Sequence, residues 1–182
     1  MPSNCRLEAW LVLLVLMGGC QVQLGPEAPD TAPTRTYWLE PPQVQVETHP
    51  GEVRVTAVPG LDSQQMLALD ADNLLVPYAG ARWSGPVPQL LRSLVIQSLG
   101  AGQGDEPLHL EVRRFFVERD AGEFGVATVE FAAWLPQRSP QPELFIAREP
   151  LEQERLGAVA AAFQRAIDQS MADLANWLSR AP

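Results

Sequence analysis

The sequence contains no lysine, only two histidines and only two cysteines, and both cysteines lie within the first 20 residues. Beyond Cys20 the chain therefore has no disulfide, no thiol nucleophile and no thiolate metal site. The 13 basic side chains, all arginines, stand against 22 acidic ones, which gives a net charge of −9. This acidic balance argues against nucleic acid as a partner, because phosphate-backbone binding requires a basic surface. It also excludes electrostatic attachment to anionic lipid, so any membrane contact has to be hydrophobic or covalent.

The residue types that carry enzyme chemistry form no recognisable pattern. His49 and His109 are far apart in sequence, and neither has a second ligand at metal-binding spacing. The chain lacks the G-x-S-x-G motif of serine hydrolases and lacks a glycine-rich phosphate loop that leads into a helix. Asp70-Ala71-Asp72 begins like a calcium loop without the required glycine and distal glutamate, so we interpret it as a turn. We therefore predict no catalytic residues, no metal and no cofactor.

The only long uncharged apolar run, Ala9–Met17, has nine residues. As a helix it would span about 13 Å of a hydrocarbon core about 30 Å thick, which is typical of a signal peptide. Gly18-Gly19-Cys20 follows and resembles a bacterial lipobox, in which the cysteine sulfur takes a diacylglycerol. We predict a signal peptide over residues 1–19 and a lipid anchor on Cys20; an ordinary secretory signal is the alternative. Gln21 after the cysteine favours the periplasmic face of the outer membrane over the inner membrane.

Residues 20–36 are rich in proline, glutamine and threonine and predict a flexible tether, followed by one domain over residues 37–182. Apolar spacing predicts one helix that opens at Ser84-Gly85-Pro86 and ends at Gly100, and a longer one over residues 153–179. We expect an α+β fold in which both helices pack on one face of a mostly antiparallel sheet of about six strands. The predicted strands are Tyr37–Leu39, Glu52–Pro59, Met66–Asp70, Leu74–Tyr78, Leu108–Arg119, Phe124–Leu135 and Leu144–Arg148.

Three local features accompany these elements. Ser84 is the expected cap of the first helix. The run Phe115-Phe116-Val117 breaks the two-residue alternation, so we expect either a β-bulge there or a sheet covered on both faces. Residues 136–142 are polar and proline-rich, which predicts a loop before the last short strand.

The order of these segments resembles that of the ABC-type transport auxiliary lipoproteins (PqiC-like), over residues 37–179. Arg82-Trp83-Ser84-Gly85-Pro86 is the most specific element, since the family usually reads arginine, tryptophan, alanine, glutamate and proline there. Gly85 stands where the glutamate is usual, so any role of that acid is absent. The other residues that carry the resemblance are Tyr37-Trp38-Leu39-Glu40-Pro41, Pro59, Leu61-Asp62, Asn73-Leu74, Tyr78, Val112, Arg114, Phe115 and Ala133-Trp134.

The resemblance implies a non-catalytic docking or bridging component that assists an inner-membrane ABC transporter and an MCE-type periplasmic partner. Such systems move phospholipids or other hydrophobic molecules between the two membranes. A structural or assembly lipoprotein of the outer membrane is the alternative. Arg82 and Trp83 are the candidate partner surface, because arginine and tryptophan often anchor interfaces. In the other interpretation Trp83 fills the core below the helix and Arg82 binds backbone carbonyls. The sequence leaves open whether the chain forms a homo-oligomer.

Overall fold

A computed structural model describes residues 33–46, 49–121, 124–153 and 155–180. Within these residues the fold is α+β, with two helices packed against one seven-stranded sheet. The sheet order is β1-β4-β3-β5-β6-β7, and β2 pairs with β5. The elements are β1 (Arg35–Tyr37), β2 (Val53–Ala57), β3 (Gln65–Leu69), β4 (Leu75–Trp83), α1 (Val87–Leu99), β5 (Leu108–Glu118), β6 (Val126–Leu135), β7 (Ser139–Pro150) and α2 (Leu156–Arg180).

The predicted α+β class, with both helices packed against the sheet, is confirmed, and the sheet is mixed rather than purely antiparallel. The predicted β5–β6 hairpin is present, and β3–β4 and β6–β7 also pair antiparallel. In contrast, β1–β4, β2–β5 and β3–β5 are parallel pairs. Val53 of β2 lies opposite Leu108, and Ala68 of β3 lies opposite Val117, so two strands follow one edge of β5. Parallel pairs need long connections, which local periodicity does not reveal.

The hydrophobic core lies between the sheet and the two helices. Trp83 at the end of β4 packs against Phe115 of β5 and Phe163 of α2, with ring centroids 5.6 and 5.1 Å away. Phe145 of β7 packs against Trp177 of α2 at 5.9 Å. Burial of one such side chain contributes about 1.5–3 kcal/mol. The apolar stripes of both helices belong to this one core. No helix among the described residues has the length and hydropathy that a membrane span needs.

Gly100 ends α1 as predicted, with a φ of 60° that suits glycine. The start of α1 differs, because the N-cap is Pro86 and no side chain caps the helix. Ser84 instead donates its backbone N–H to the carbonyl of Tyr37, at 2.8 Å. The predicted cap at Ser84 is therefore wrong.

Two predicted boundaries in the sheet also change. The loop predicted over residues 136–142 is too long. Pro140 and Pro142 lie inside β7, which begins at Ser139, because an edge strand tolerates proline. The irregularity of β5 falls between Val112 and Arg114, before the run of two phenylalanines. Phe115 and the following Phe116 face opposite sides of the sheet, and both are buried.

The domain begins before residue 37. Arg35 and Thr36 already belong to β1, opposite Ala81 and Arg82 of β4, so the predicted end of the tether at residue 36 is wrong. A polar segment can form such a strand because the ladder uses backbone groups only. The predicted signal peptide, the lipidation site at Cys20 and the tether up to residue 32 lie outside the described residues.

Candidate partner-docking surface

Parallel pairing of β1 with β4 brings together two sequence segments that share no local contact. Tyr37 lies opposite Trp83 in the ladder. Arg82 donates from Nε to the hydroxyl of Thr36, 46 residues away, at 3.1 Å. The aromatic start of the domain and the segment Arg82–Pro86, both quoted above for the family resemblance, therefore form one structural unit.

Trp83, one half of the predicted partner surface, is inside the core. Its side chain is 1% exposed and is surrounded by Phe115 and Phe163. A partner cannot reach it, so the pair Arg82 and Trp83 is not a contact surface as such. The ring fills the core below the first helix, which was the other interpretation of the sequence. Among the described residues its indole N–H has no hydrogen-bond partner.

Arg82 remains on the surface, where it is exposed. Its side chain binds the Thr36 hydroxyl and not a backbone carbonyl, so that part of the core interpretation is wrong. It contributes to holding β1 on the edge of the sheet. A hydrogen bond from an arginine to a neutral hydroxyl oxygen contributes about 1 kcal/mol or less to the stability of the fold when it is exposed to water.

Trp38 is the exposed aromatic residue of this region. The backbone alternates there, so that Tyr37 and Leu39 turn inward while the Trp38 side chain is 75% exposed. Sequence reasoning grouped Trp38 with a β-prone run and missed its exposure. The available signal was the two-residue period itself, which places residue 38 on the opposite side from its neighbours.

The chain holds Trp38 in place from both sides. Before it, β1 is paired with β4. After it, Glu40 donates its backbone N–H to Oε1 of Gln164 at 2.8 Å, and Nε2 of Gln164 donates to the Glu40 carbonyl at 2.9 Å. These two bonds tie the segment to α2. The indole is therefore presented on an ordered backbone rather than on a free end, which reduces the entropy lost on binding.

A groove of about 290 Å³ runs beside Trp38, between the Ser84–Gly85 turn and α1. No charged residue lines it, so a partner would be held by apolar contact and amide hydrogen bonds. A Cβ added at Gly85 would meet nothing within 4 Å, so a side chain would fit there. The lining residues are Trp38, Leu39, Ser84, Gly85, Gln89, Leu90, Ser93, Leu94 and Gln97.

The two histidines and Asp70, which were considered for catalysis or metal binding, make structural contacts. His49 shares a hydrogen bond of 2.8 Å with the Leu99 carbonyl at the end of α1. The ring of His109 stacks on Trp134 at 5.1 Å. Asp70 lies in the β3–β4 turn and its carboxylate contacts Arg119 at 2.8 Å. In the part of the chain that the structure describes, no three metal-ligating side chains come together.

One buried carboxylate, Glu106, joins the loop before β5 to the turn after β6. Burial by itself would raise the pKa of Glu106, but the carboxylate accepts hydrogen bonds from the Arg138 side chain and from the backbone of Gln137 and Arg138. These bonds outweigh burial and lower its pKa below the ordinary value. Glu106 does not line the groove, and its role is to fix two loops together.

Comparison with known proteins finds solved structures of similar fold. No protein-family model and no curated protein matches the chain. The chain is similar to a crystal structure of a Xanthomonas campestris protein assigned to the family DUF330, with 26% identity and a TM-score of 0.63. That match covers 82% of this chain and 94% of the other. A crystal structure of an uncharacterized protein shares the fold at 16% identity, with a TM-score of 0.62 and coverage of 80% and 99%.

Proposed function

We propose that this protein is a lipid-anchored, non-catalytic auxiliary component of an ABC-type transport system. In this proposal a lipid on Cys20 holds the domain at the periplasmic face of the outer membrane. The domain docks an MCE-type periplasmic partner, and the system moves phospholipids or other hydrophobic molecules between the two membranes. The observation that carries the proposal is that Tyr37–Pro41 and Arg82–Pro86, the segments that resemble the auxiliary lipoproteins, meet beside one uncharged groove.

The likeness to the Xanthomonas campestris structure supports the same assignment. That protein carries the family assignment DUF330, and the PqiC-like lipoproteins correspond to DUF330. The likeness extends over nearly all of the described domain, as expected if both chains use the same scaffold.

Trp38 is the proposed anchor of the docking contact. A tryptophan buries about 150–250 Å² when it enters an apolar pocket, and such residues dominate the free energy of many interfaces. The neutral amides of Gln89 and Gln97 at the groove would pair with polar groups of the partner. Because no charged residue lines the groove, we expect the affinity of the contact to depend little on salt.

Loss of the gene together with single substitutions tests the proposal in cells. We expect deletion to sensitise the cells to detergents and hydrophobic compounds, and we expect the full chain to co-purify with the ABC permease or with its MCE-type partner. Trp38→Ala should reproduce the sensitivity at normal protein level. Leu74→Ala, which shortens another exposed apolar side chain in the β3–β4 turn, is the matched control and should behave as wild type.

Three outcomes would count against the proposal. Unchanged resistance after deletion would remove the transport role. A weakened envelope without any ABC partner would favour the structural lipoprotein of the outer membrane. Wild-type behaviour of Trp38→Ala would show that the partner docks elsewhere on the domain.

A further inference from the structure

The outer edge of the sheet is formed by β7, and its backbone is open over a short stretch. Leu151 donates its N–H to the Gly125 carbonyl at 2.9 Å, and the antiparallel register continues from there along β6. Since hydrogen-bonded pairs alternate in such a ladder, residues 144, 146 and 148 direct their N–H and C=O groups away from β6. Among the described residues no strand pairs with this side of β7.

Two prolines limit the open stretch. Pro150 has this outward orientation in the register, Pro142 takes it by alternation from the adjacent Glu143, and proline has no N–H to donate. Between them, Leu144 and Ile146 are 46% and 50% exposed on the face of the sheet opposite the helices. Edge strands of this kind are usually protected by charges or by proline. Here Glu143 and Arg148 add charge next to the prolines, and between them Leu144 and Ile146 present apolar side chains together with unpaired donors.

Helix α2 adds a second row of residues along the same edge. Asp173, Asn176, Trp177 and Arg180 line a cleft of about 400 Å³ together with Glu143–Ile146 of β7. Asp173 is half-buried and Arg180 is exposed. Neither forms a salt bridge within the described residues. Asp173 and Arg180 therefore have no ion-pair partner within the described residues, and they lie two helical turns apart beside the open edge of β7.

We infer that this edge is the interface of a homodimer. Two copies pair their β7 strands antiparallel about a two-fold axis at Phe145, so that Leu144 lies opposite Ile146 of the partner subunit. Each such pair exchanges two backbone hydrogen bonds, and Arg148 donates to the carbonyl of Pro142 of the partner subunit, about six bonds in all. Only the carbonyl of Pro142 takes part in this pair, and the carbonyl of Arg148 faces water there.

The register is chosen by the side chains. Centred on Phe145, the pairing places two exposed apolar residues against each other and brings Glu143 opposite Ala147 of the partner subunit. A register centred on Ile146 would bring Glu143 opposite Glu149 of the partner subunit, and like charges that face each other directly destabilise a strand pair.

The helices fit this arrangement in distance. Strands are about 4.8 Å apart, and the part of α2 near Trp177 packs over β6 and β7, so we place its axis there about 2.4 Å inside β7 and the two-fold axis about 2.4 Å outside it. A two-fold axis perpendicular to the sheet keeps both α2 helices on the same face. Their axes are then about 10 Å apart, which is the upper end of ordinary helix packing.

The charges fit it as well, and they identify a second copy as the occupant. The contact of Phe145 with Trp177 places this part of α2 level with the two-fold axis along the strand direction. Antiparallel α2 helices that cross there bring Asp173 beside Arg180 of the partner subunit, and symmetry repeats the pair. Within α2, Asp173 accepts a hydrogen bond from Gln169 and Arg180 donates one to the Asn176 carbonyl, and a partner without complementary charges would leave both groups without an ion pair.

Sedimentation of the full chain in a mild detergent tests the inference, with folding checked by circular dichroism. We expect a concentration-dependent dimer. Ile146→Pro should abolish it and leave the domain folded, because the N–H of residue 146 is not used by β6. Asp173→Arg and Arg180→Asp should each raise the dissociation constant of the dimer about tenfold or more. The double exchange D173R/R180D should return it to within about threefold of wild type.

The opposite results identify other occupants. A wild-type chain that stays monomeric at its highest soluble concentration overturns the inference. If that monomer dimerises once residues 21–32 are deleted, the edge is covered by the amino-terminal segment of the chain itself. A dimer that tolerates Ile146→Pro but not Trp38→Ala would place the interface at the groove. None of these results depends on the envelope assay, so the dimer and the transport role can fail separately.

Discussion

Replacement of Trp83 by alanine measures how much the core depends on the junction between β4, β5 and α2. The indole is 1% exposed and lies edge-on to Phe115 and Phe163. Truncation of a buried tryptophan costs about 3–5 kcal/mol, because the lost burial is joined by the cost of a cavity. Its indole N–H has no partner in the described residues, so the substitution also removes an unsatisfied donor, a gain of about 1 kcal/mol. We therefore expect the free energy of unfolding to fall by about 2–4 kcal/mol.

Urea denaturation followed by far-ultraviolet circular dichroism is the suitable assay, since tryptophan fluorescence changes with the substitution itself. With a slope of about 2 kcal/mol per molar urea, the midpoint should fall by about 1–2 M. Trp38→Ala is the matched control, because it makes the same chemical change at a side chain that is 75% exposed. Its effect should stay within about 0.5 kcal/mol. A midpoint for Trp83→Ala within about 0.3 M of wild type would refute the placement of the ring in the core.

Three further predictions concern a carboxylate, the start of the domain and the anchor. Because the folded-state pKa of Glu106 is lowered, its contribution to the free energy of unfolding is present above about pH 4.3 and is lost as the pH falls through the folded pKa. Glu106→Gln should therefore reduce the fall in stability at acid pH, as measured by urea titrations at a series of pH values. A chain that begins at residue 37 loses most of β1 and should melt at lower temperature than one that begins at residue 33, and equal melting would show that β1 is dispensable. Cys20→Ser should release the protein from the membrane fraction; retention together with a cleaved leader would contradict lipidation at Cys20.

Local patterns in the sequence were sufficient for the elements whose contacts are local or whose apolar stripe is long. The stripe over residues 153–179 predicted α2, because every third or fourth apolar side chain of a helix reaches the same face. Gly100 marked the end of α1 through its left-handed backbone. The β5–β6 hairpin followed from two β-prone runs on either side of a turn. Together these elements were enough for the α+β class.

The parallel pairs of the sheet were decided only in three dimensions. The contact of β1 with β4 joins residues 46 positions apart, and no local rule states which strand a three-residue segment will meet. Trp83 is buried against Phe115 and Phe163 and Trp38 is exposed, although both are tryptophans in β-prone surroundings. The candidate docking residue therefore moved from the predicted Arg82 and Trp83 to Trp38.

The edge strand β7 also shows which features the sequence indicated and which the tertiary structure decided. The sequence indicated a loop over residues 136–142 because prolines disfavour strands in general. In the folded domain Pro142 faces outward on an edge strand, where a missing N–H costs nothing, and β7 extends over twelve residues. Composition and periodicity thus determined which segments are helical, extended or apolar. Which strand lies at an edge, and which donors and side chains remain open to a second chain, depends on the neighbours that distant segments supply, and only the tertiary structure decided it.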